Sequence, residues 1–387
     1  MTATAQRAVR VIHVIVGLDP GGAELMLARL IETSHRRREF HHVVVSLTSA
    51  GNVGARLRNG GIELHTLGFR YSPGAFKAFW RLRKLLRELR PDVVQTWMYH
   101  ADLIGGLAAV GSGSSAIAWG VRTTFMQFEG SRFTRVVARA CAMLSTRIPR
   151  VIVCAAEASR RVHVAMGYDA ARMRVIPNGF DISRLAGGAD RRADRRAEFG
   201  FDARTVAIGA IGRFSPVKDY PTFIQACAIV GARMPFVRFL LAGRGLDAEN
   251  RELVNWLEKA GLRDRFVLLG ERNDIPECLA ALDVFCLSSR SEGFPNVVGE
   301  AMGAGVPCVV TDVGDASLLV GDTGEVVAPG DPQALGAALL RIAGYDPATR
   351  QARGAAARRR IESEFSLDAT CARYESLYRE LAGGANH

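Results

Sequence analysis

Short apolar strands alternating with helical stretches run through almost the whole 387-residue chain. Arg10–Val16, His42–Leu47, Ile62–Leu67, Val93–Gln95 and Ala116–Val121 read as strands, and Arg150–Cys154 with Arg174–Ile176 closes this series. The alternation then restarts with Thr205–Ile211, Phe236–Leu241, Phe266–Leu269, Asp283–Leu287 and Val306–Val310. Such a pattern buries its apolar strands as parallel sheets with helices on both faces. The expected fold class is therefore α/β: two Rossmann-like, doubly wound parallel-sheet domains. Ligands of such sheets bind beyond the carboxyl ends of the strands, so the loops that follow strands are where function is expected.

The break between the two series sets the domain expectation. Pro177-Asn-Gly-Phe-Asp181 reads as a turn, and the charged, glycine-rich Leu185–Arg196 as a linker. The expected division is a first domain over 1–181, a second over 182–365 and a terminal helix over 366–387. Each domain is large enough for its own core. No apolar run approaches the roughly 18 residues of a membrane span. The seven cysteines are scattered without a C-x-x-C pair, which fits reduced thiols and a cytoplasmic location. Net charge is +11, and only Lys77, Lys84, Lys218 and Lys259 interrupt an otherwise arginine-based cation set. Basic balance points to anionic partners: phosphorylated substrates, a membrane surface or nucleic acid. No helix-turn-helix, zinc-finger or RNP-like motif is present, which disfavours nucleic acid.

The stretch Ser289–Val310, SRSEGFPNVVGEAMGAGVPCVV, carries the most chemistry. A strand ends, Gly293 and Pro295 break the backbone, and a helix is expected from about Pro295 through Met302. Glu292 lies on the loop before that helix and Glu300 lies inside it. Helix N-termini attract phosphate, and carboxylates beside one repel it. The two glutamates are therefore expected to bind uncharged hydroxyls of a ribose or sugar attached to a phosphate. Earlier in the same domain, Gly212-Arg213-Phe-Ser-Pro-Val-Lys218 follows a strand. Two cations there can clamp a diphosphate, the arginine by its fork and the lysine as a point charge. The loops holding Gly243, Arg272 and Ile275 emerge at the same sheet edge. In the first domain, Gly17–Glu24 forms a strand, glycine loop and helix start, with Gly21 and Gly22 able to approach a ligand closely. It is not G-x-G-x-x-G, which disfavours a nicotinamide-dependent dehydrogenase.

EGFPNVVGEA resembles the E-x7-E motif of the retaining glycosyltransferases of family 4, and GRFSPVKD resembles their G-R-x4-K pattern. IPNGFD is similar to the family's domain junction, and GGAE to its N-terminal glycine loop. The resemblance covers nearly the whole second domain and, more weakly, the first. It implies a GT-B fold, two Rossmann-like domains facing across a cleft with the last helix crossing back to the first. It implies that Glu292 touches the donor sugar, that Glu300 holds the ribose, and that Arg213 and Lys218 neutralise the leaving diphosphate. Gly293, Phe294, Pro295 and Asn296 would shape the donor pocket. The donor would be a nucleotide-diphosphate sugar, UDP-linked by expectation, and the acceptor a lipid-linked or polysaccharide intermediate of cell-surface glycan synthesis. Reaction would be by front-face attack without a protein nucleophile. No Asp-x-Asp occurs in the chain, so neither metal nor cofactor is expected. A sugar-nucleotide epimerase of the same fold and a non-catalytic nucleotide- or membrane-binding protein remain the alternatives.

One departure concerns the acceptor. Many members carry a histidine after the fifth strand of the first domain, where this chain has Ala118-Trp-Gly-Val-Arg122-Thr-Thr. His100 or Arg122 is the candidate replacement. Finally, Ala75–Arg90 forms an amphipathic helix with Ala78, Phe79, Leu82, Leu85, Leu86 and Leu89 on its core face. Lys77, Arg81, Lys84 and Glu88 lie opposite, with Phe76 and Trp80 at the edge beside Arg83 and Arg87. It reads either as an ordinary helix with a solvated basic face or as a contact with anionic lipid at the inner membrane face.

Overall fold

A computed structural model describes residues 7–37, 39–69, 74–114, 116–122 and 132–384. The chain divides into two compact units, Met1–Gly179 with Leu367–His387, and Phe180–Ser366.

The first unit alternates strictly. Its elements are β1 (Val9–Ile15), α1 (Gly22–His35), β2 (Phe40–Ser46), α2 (Gly51–Asn59), β3 (Glu63–Thr66), α3 (Gly74–Leu89) and β4 (Val93–Trp97). There follow α4 (Tyr99–Ser112), β5 (Ile117–Val121), α5 (Arg132–Leu144), β6 (Val151–Cys154), α6 (Glu157–Ala165) and β7 (Met173–Val175). All seven strands are parallel, in the order β3-β2-β1-β4-β5-β6-β7. β4, β5 and β6 are buried along their whole length, as a sheet covered on both faces requires. One face packs on α3, α4 and α5 through Leu82, Leu86, Ala108, Ala109, Val137 and Cys141.

The second unit comprises α7 (Ile182–Ala186), α8 (Arg192–Glu198), β8 (Val206–Ile211), α9 (Tyr220–Arg233), β9 (Val237–Ala242), α10 (Arg251–Lys259), β10 (Phe266–Leu268) and α11 (Ile275–Ala280). It continues with β11 (Val284–Leu287), α12 (Asn296–Gly303), β12 (Cys308–Thr311), α13 (Ala316–Val320), β13 (Glu325–Val327), α14 (Pro332–Ala343) and α15 (Pro347–Glu364). Its six parallel strands run β10-β9-β8-β11-β12-β13. The order reverses direction between β8 and β11. At such a switch point the flanking loops part and leave a crevice. The terminal helix α16 (Leu367–Gly383) belongs to the first unit. It buries Cys371, Tyr374, Leu377, Tyr378 and Leu381 against the face of that sheet also covered by α1. Each leucine so buried contributes about 1.5–3 kcal/mol.

One sequence expectation needs correcting. Leu185–Arg196 is not an open linker: it spans the end of α7 and most of α8. Arg192 and Arg196 of that segment bind the Asp283 carboxylate at 2.6 and 2.9 Å. α8 lacks apolar periodicity because ion pairs hold it, whereas α7 buries Leu185. The helix expected from about Pro295 is present: Pro295 occupies the cap position (φ −78°, ψ 85°) and the helix begins at Asn296. Helix α10 begins at Arg251, where the Asn250 side chain accepts from Leu253 N at 3.2 Å and caps it.

Candidate functional site

The switch point of the second unit gathers the loop after β8 and the loop after β11. The two are stitched together by backbone and side chains. Arg290 N donates to Val217 O at 2.8 Å, and Ser288 Oγ donates to Lys218 O at 2.8 Å. Thr311 Oγ1, at the end of β12, donates to Ser289 O at 2.7 Å. This framework brings Lys218 and Glu292 into contact: Nζ lies 2.6 Å from Oε1, with the side chains only 19% and 13% exposed. Ser289 Oγ donates to the same carboxylate oxygen at 2.6 Å. A charged pair with so little solvent is strongly oriented and weakly screened.

An aromatic pair lies within the same loop region. Tyr220 stacks on Phe214 with ring centroids 6.0 Å apart, and its hydroxyl donates to Gly212 O at 3.2 Å. Burial, and then the Glu292 charge, push the Tyr220 phenol well above its ordinary value, so it stays a neutral donor. Asp219 starts α9 at a positive φ of 49°. Its carboxylate accepts from Thr222 Oγ1 at 2.7 Å and Arg290 Nε at 2.8 Å, which holds the strained residue in place. Gly243 has φ +138°, and a Cβ there would lie 1.9 Å from Gly212 O. Glycine at 243 is what lets the β8 and β9 loops touch.

Arg213 opens the Lys218 loop and is exposed to solvent. Gly293 O accepts from Asp315 N at 2.9 Å, fixing the loop that delivers Phe294, Pro295 and Asn296 to the start of α12. Glu300 is half-buried, in the middle of that eight-residue helix. Phe294 stacks on Phe180 of IPNGFD at 6.0 Å. A Cβ on Gly299 would lie 2.0 Å from the Phe180 ring. The junction motif and the two-glutamate motif are thus two sides of one packing contact. Arg272 is engaged differently: Nε and Nη2 bind Asp274 at 2.7 and 2.5 Å, and this hydrogen bonding lowers the Asp274 pKa. Ile275, its neighbour, is the first residue of α11.

In the first unit, Gly21 caps α1 and Gly22 begins it. The Glu24 carboxylate folds back toward Gly21, whose added Cβ would meet Oε2 at 2.4 Å. Burial raises the Glu24 pKa. His100 sits at the start of α4 against Phe133, ring centroids 5.7 Å apart, and burial lowers its pKa. Arg122 is committed to structure: Nη1 donates to Asn178 Oδ1 at 3.0 Å, Nη2 donates to Tyr374 OH, and the guanidinium lies 4.4 Å over Trp97. It fastens α16 to the sheet. Thr123 and Thr124 lie outside the described residues. Ser289, Tyr220 and Phe180 are the site residues that sequence reasoning missed. A Ser three positions before the loop glutamate was the available signal for the first.

The family model described as Glycosyl transferases group 1 matches residues 205–344, and that described as Glycosyltransferase Family 4 matches 20–184. The chain belongs to glycosyltransferase family 4. Curated relatives include the UDP-Gal:alpha-D-GlcNAc-diphosphoundecaprenol alpha-1,3-galactosyltransferase of Escherichia coli, 26% identical over 247 residues, 63% of this chain and 64% of that protein. The lipopolysaccharide core biosynthesis mannosyltransferase LpsB of Rhizobium meliloti (strain 1021) is 34% identical over 218 residues, 53% of this chain and 61% of that protein. This chain thus spans somewhat under two thirds of the length of each of these two relatives. The crystal structure of Anabaena HepE in complex with UDP superposes with a TM-score of 0.84 at 23% identity, covering 96% of this chain and 100% of that one. The family 4 fold expected from the sequence, GT-B with two parallel-sheet Rossmann-like units, is the fold of this chain.

Proposed function

We propose that the protein is a retaining glycosyltransferase that moves a sugar from a nucleotide-diphosphate donor, UDP-linked, to a lipid-linked or glycan acceptor in cell-surface glycan synthesis. The Lys218–Glu292 pair at the switch point carries this reading. A nucleotide-sugar presents a diphosphate beside a hydroxylated ring. This site offers a cation beside a carboxylate, at the crevice where a parallel sheet binds ligands. The UDP complex of Anabaena HepE and the UDP-galactose name of the Escherichia coli relative support the choice of donor.

In the reaction, the bond between the anomeric carbon and the distal phosphate oxygen breaks, and negative charge grows on that phosphate. Lys218, with Arg213 from the same loop, neutralises it. Such charge-directed stabilisation is worth most where water is scarce. The acceptor hydroxyl attacks the oxocarbenium-like carbon on the face the diphosphate leaves, and its proton passes to the departing phosphate oxygen. Glu292 accepts sugar hydroxyls, released from Lys218 as the diphosphate takes up that cation. Glu300 holds the ribose, and Gly21 and Gly22 approach the donor. Gly212, Gly243, Arg272, Ile275 and the 293–296 loop complete its surroundings. His100 and Arg122 are assigned to the acceptor end, Arg122 through the wall it builds. A lipid-linked acceptor brings the protein to a membrane surface as a peripheral visitor.

The test is release of the nucleoside diphosphate (UDP, GDP or ADP) from a panel of UDP-, GDP- and ADP-sugars, followed by determination of the anomeric configuration in the product. Release only with UDP-sugars and a retained configuration support the proposal. An inverted product, or interconversion of donors without transfer, overturns it.

A further inference from the structure

The first unit exposes several large apolar side chains on three neighbouring helices. Trp80 on α3, Leu107 and Val110 on α4, and Phe133, Val136 and Met143 on α5 are large apolar side chains open to solvent, Met143 at 74% and Val136 at 60%. The three helices pack side by side, α4 between α3 and α5, and bury their other faces in the same core cluster. Arg83 links two of them: Nε donates to Gly111 O at 2.5 Å while the guanidinium lies 4.9 Å over the Trp80 ring.

Cations surround these side chains. At helical spacing, Arg132, Arg135 and Arg139 share one arc of α5 with Phe133, Val136 and Met143, opposite buried Val137, Ala138 and Cys141. On α3, Lys77, Arg81, Lys84 and Arg87 face outward. Among the described residues of the three helices the only outward carboxylate is Glu88, paired with Lys84 at 3.6 Å. Asp102 of α4 is buried.

We propose that this face of α3, α4 and α5 is a docking surface for an anionic lipid membrane. Phosphate headgroups meet the arginine and lysine rim, while Trp80, Val136 and Met143 enter the interfacial layer. The combination selects this occupant. A nucleic-acid surface needs the cations but gives no role to exposed Val136, Val110 and Met143. A two-fold contact with a second copy would set like charges against each other. No helix among the described residues is long and apolar enough to cross a membrane, so attachment on this face is peripheral and reversible. The inference deepens the acceptor half of the proposed function. Vesicle binding is read without donor or acceptor, so the two fail separately.

The experiment is co-sedimentation of the full chain with neutral phosphatidylcholine vesicles and with vesicles holding about 30% phosphatidylglycerol. It is run at about 0.1 M and about 1 M salt. Binding to the anionic vesicles at low salt, reduced by high salt, is expected. Arg135→Glu with Arg139→Glu, and separately Val136→Glu with Met143→Glu, should each lower partitioning about tenfold or more with the melting temperature unchanged. Met143→Glu alone, at the most exposed position, keeps the test readable if a double variant folds poorly. Brominated lipid should quench Trp80, an effect lost in Trp80→Phe. Absence of vesicle binding overturns the proposal, as does binding by both double variants at wild-type strength. Competition by duplex DNA that is indifferent to Val136→Glu with Met143→Glu also overturns it. So does a dimer abolished by those substitutions without vesicle binding.

Discussion

Lys218 Nζ lies 2.6 Å from Glu292 Oε1, although the residues are 74 positions apart in sequence. Ser289 Oγ reaches the same oxygen at 2.6 Å. The cation that would meet the diphosphate is thus held by the carboxylate that would meet the sugar. On the proposed function, donor binding divides the pair, and the site should then respond to each residue separately.

Replacing Lys218 with alanine should remove the charge stabilisation proposed for the leaving group. By comparison with loss of one oxyanion donor, kcat should fall on the order of 100–1,000-fold. The nucleoside diphosphate should bind only modestly less well. Steady-state kinetics with a UDP-sugar decides: near-normal kcat with a raised KM would make Lys218 a binding residue alone.

The two glutamates should separate under calorimetry with UDP, which lacks the sugar. Glu300→Ala should lose a charged hydrogen bond to the ribose and weaken binding by roughly 1.5–3 kcal/mol. Glu292→Gln should not weaken it, since it frees Lys218 from its internal partner. Equal losses in both variants would reject the division of roles between ribose and sugar.

Metal independence is the expectation from two cations on the β8 loop and from the missing Asp-x-Asp. Turnover in excess EDTA should match turnover with magnesium. Loss of activity in EDTA, restored by a divalent ion, would contradict the assignment of charge neutralisation to Arg213 and Lys218.

Phe180 is fully buried, stacked on Phe294 and seated where a Gly299 side chain would be. Phe180→Ala should cost about 3–5 kcal/mol of stability and lower kcat by shifting α12. Gly299→Ala should also destabilise, since its methyl cannot share the Phe180 site. Denaturant unfolding of both variants checks this; a neutral Gly299→Ala would mean that α12 moves freely.

The sequence made the alternation legible because strand and helix periods are local. β4, β5 and β11 are short β-branched or apolar runs that any window reads. β13 was missed because Glu325–Val327 is three residues long and half exposed. Glu292, Glu300, Arg213 and Lys218 were legible as types in a pattern, but the contact between Lys218 and Glu292 was not. It depends on Ser288, Thr311 and Arg290 stitching two distant loops. Arg122 shows how a distant contact stays hidden. Its place after β5 suggested a ligand contact, whereas Tyr374, 252 residues later, occupies its guanidinium. Nothing local to Arg122 signals where the last helix will lie.

The buried histidines of the first unit give the last prediction, acid sensitivity. His13 Nε2 meets His42 Nδ1 at 3.0 Å, and Trp97 Nε1 donates to His13 Nδ1 at 3.3 Å. The chain of donors requires both rings neutral. Burial, then nearby histidine charge, lowers His13 well below its usual value and His42 to about 3. His163 and His100 are lowered by burial too. A histidine depressed in the folded state takes its proton more readily when unfolded. Stability is therefore level above about pH 6.5 and falls as pH drops below it, by up to about 1.4 kcal/mol per pH unit per histidine, until the folded pKa is reached. Asp102 works the other way. Burial raises its carboxyl to about 7, so its contribution declines as pH rises from about 4 to 7. Between pH 4.5 and 6.5 Asp102 offsets one histidine, and the remainder still loses stability toward acid. Urea unfolding followed by tryptophan fluorescence at half-unit pH steps measures the slope. His42→Gln should flatten it by about 1.4 kcal/mol per pH unit, whatever its effect on stability at pH 7. An unchanged slope would show that His42 does not stay neutral in the folded chain.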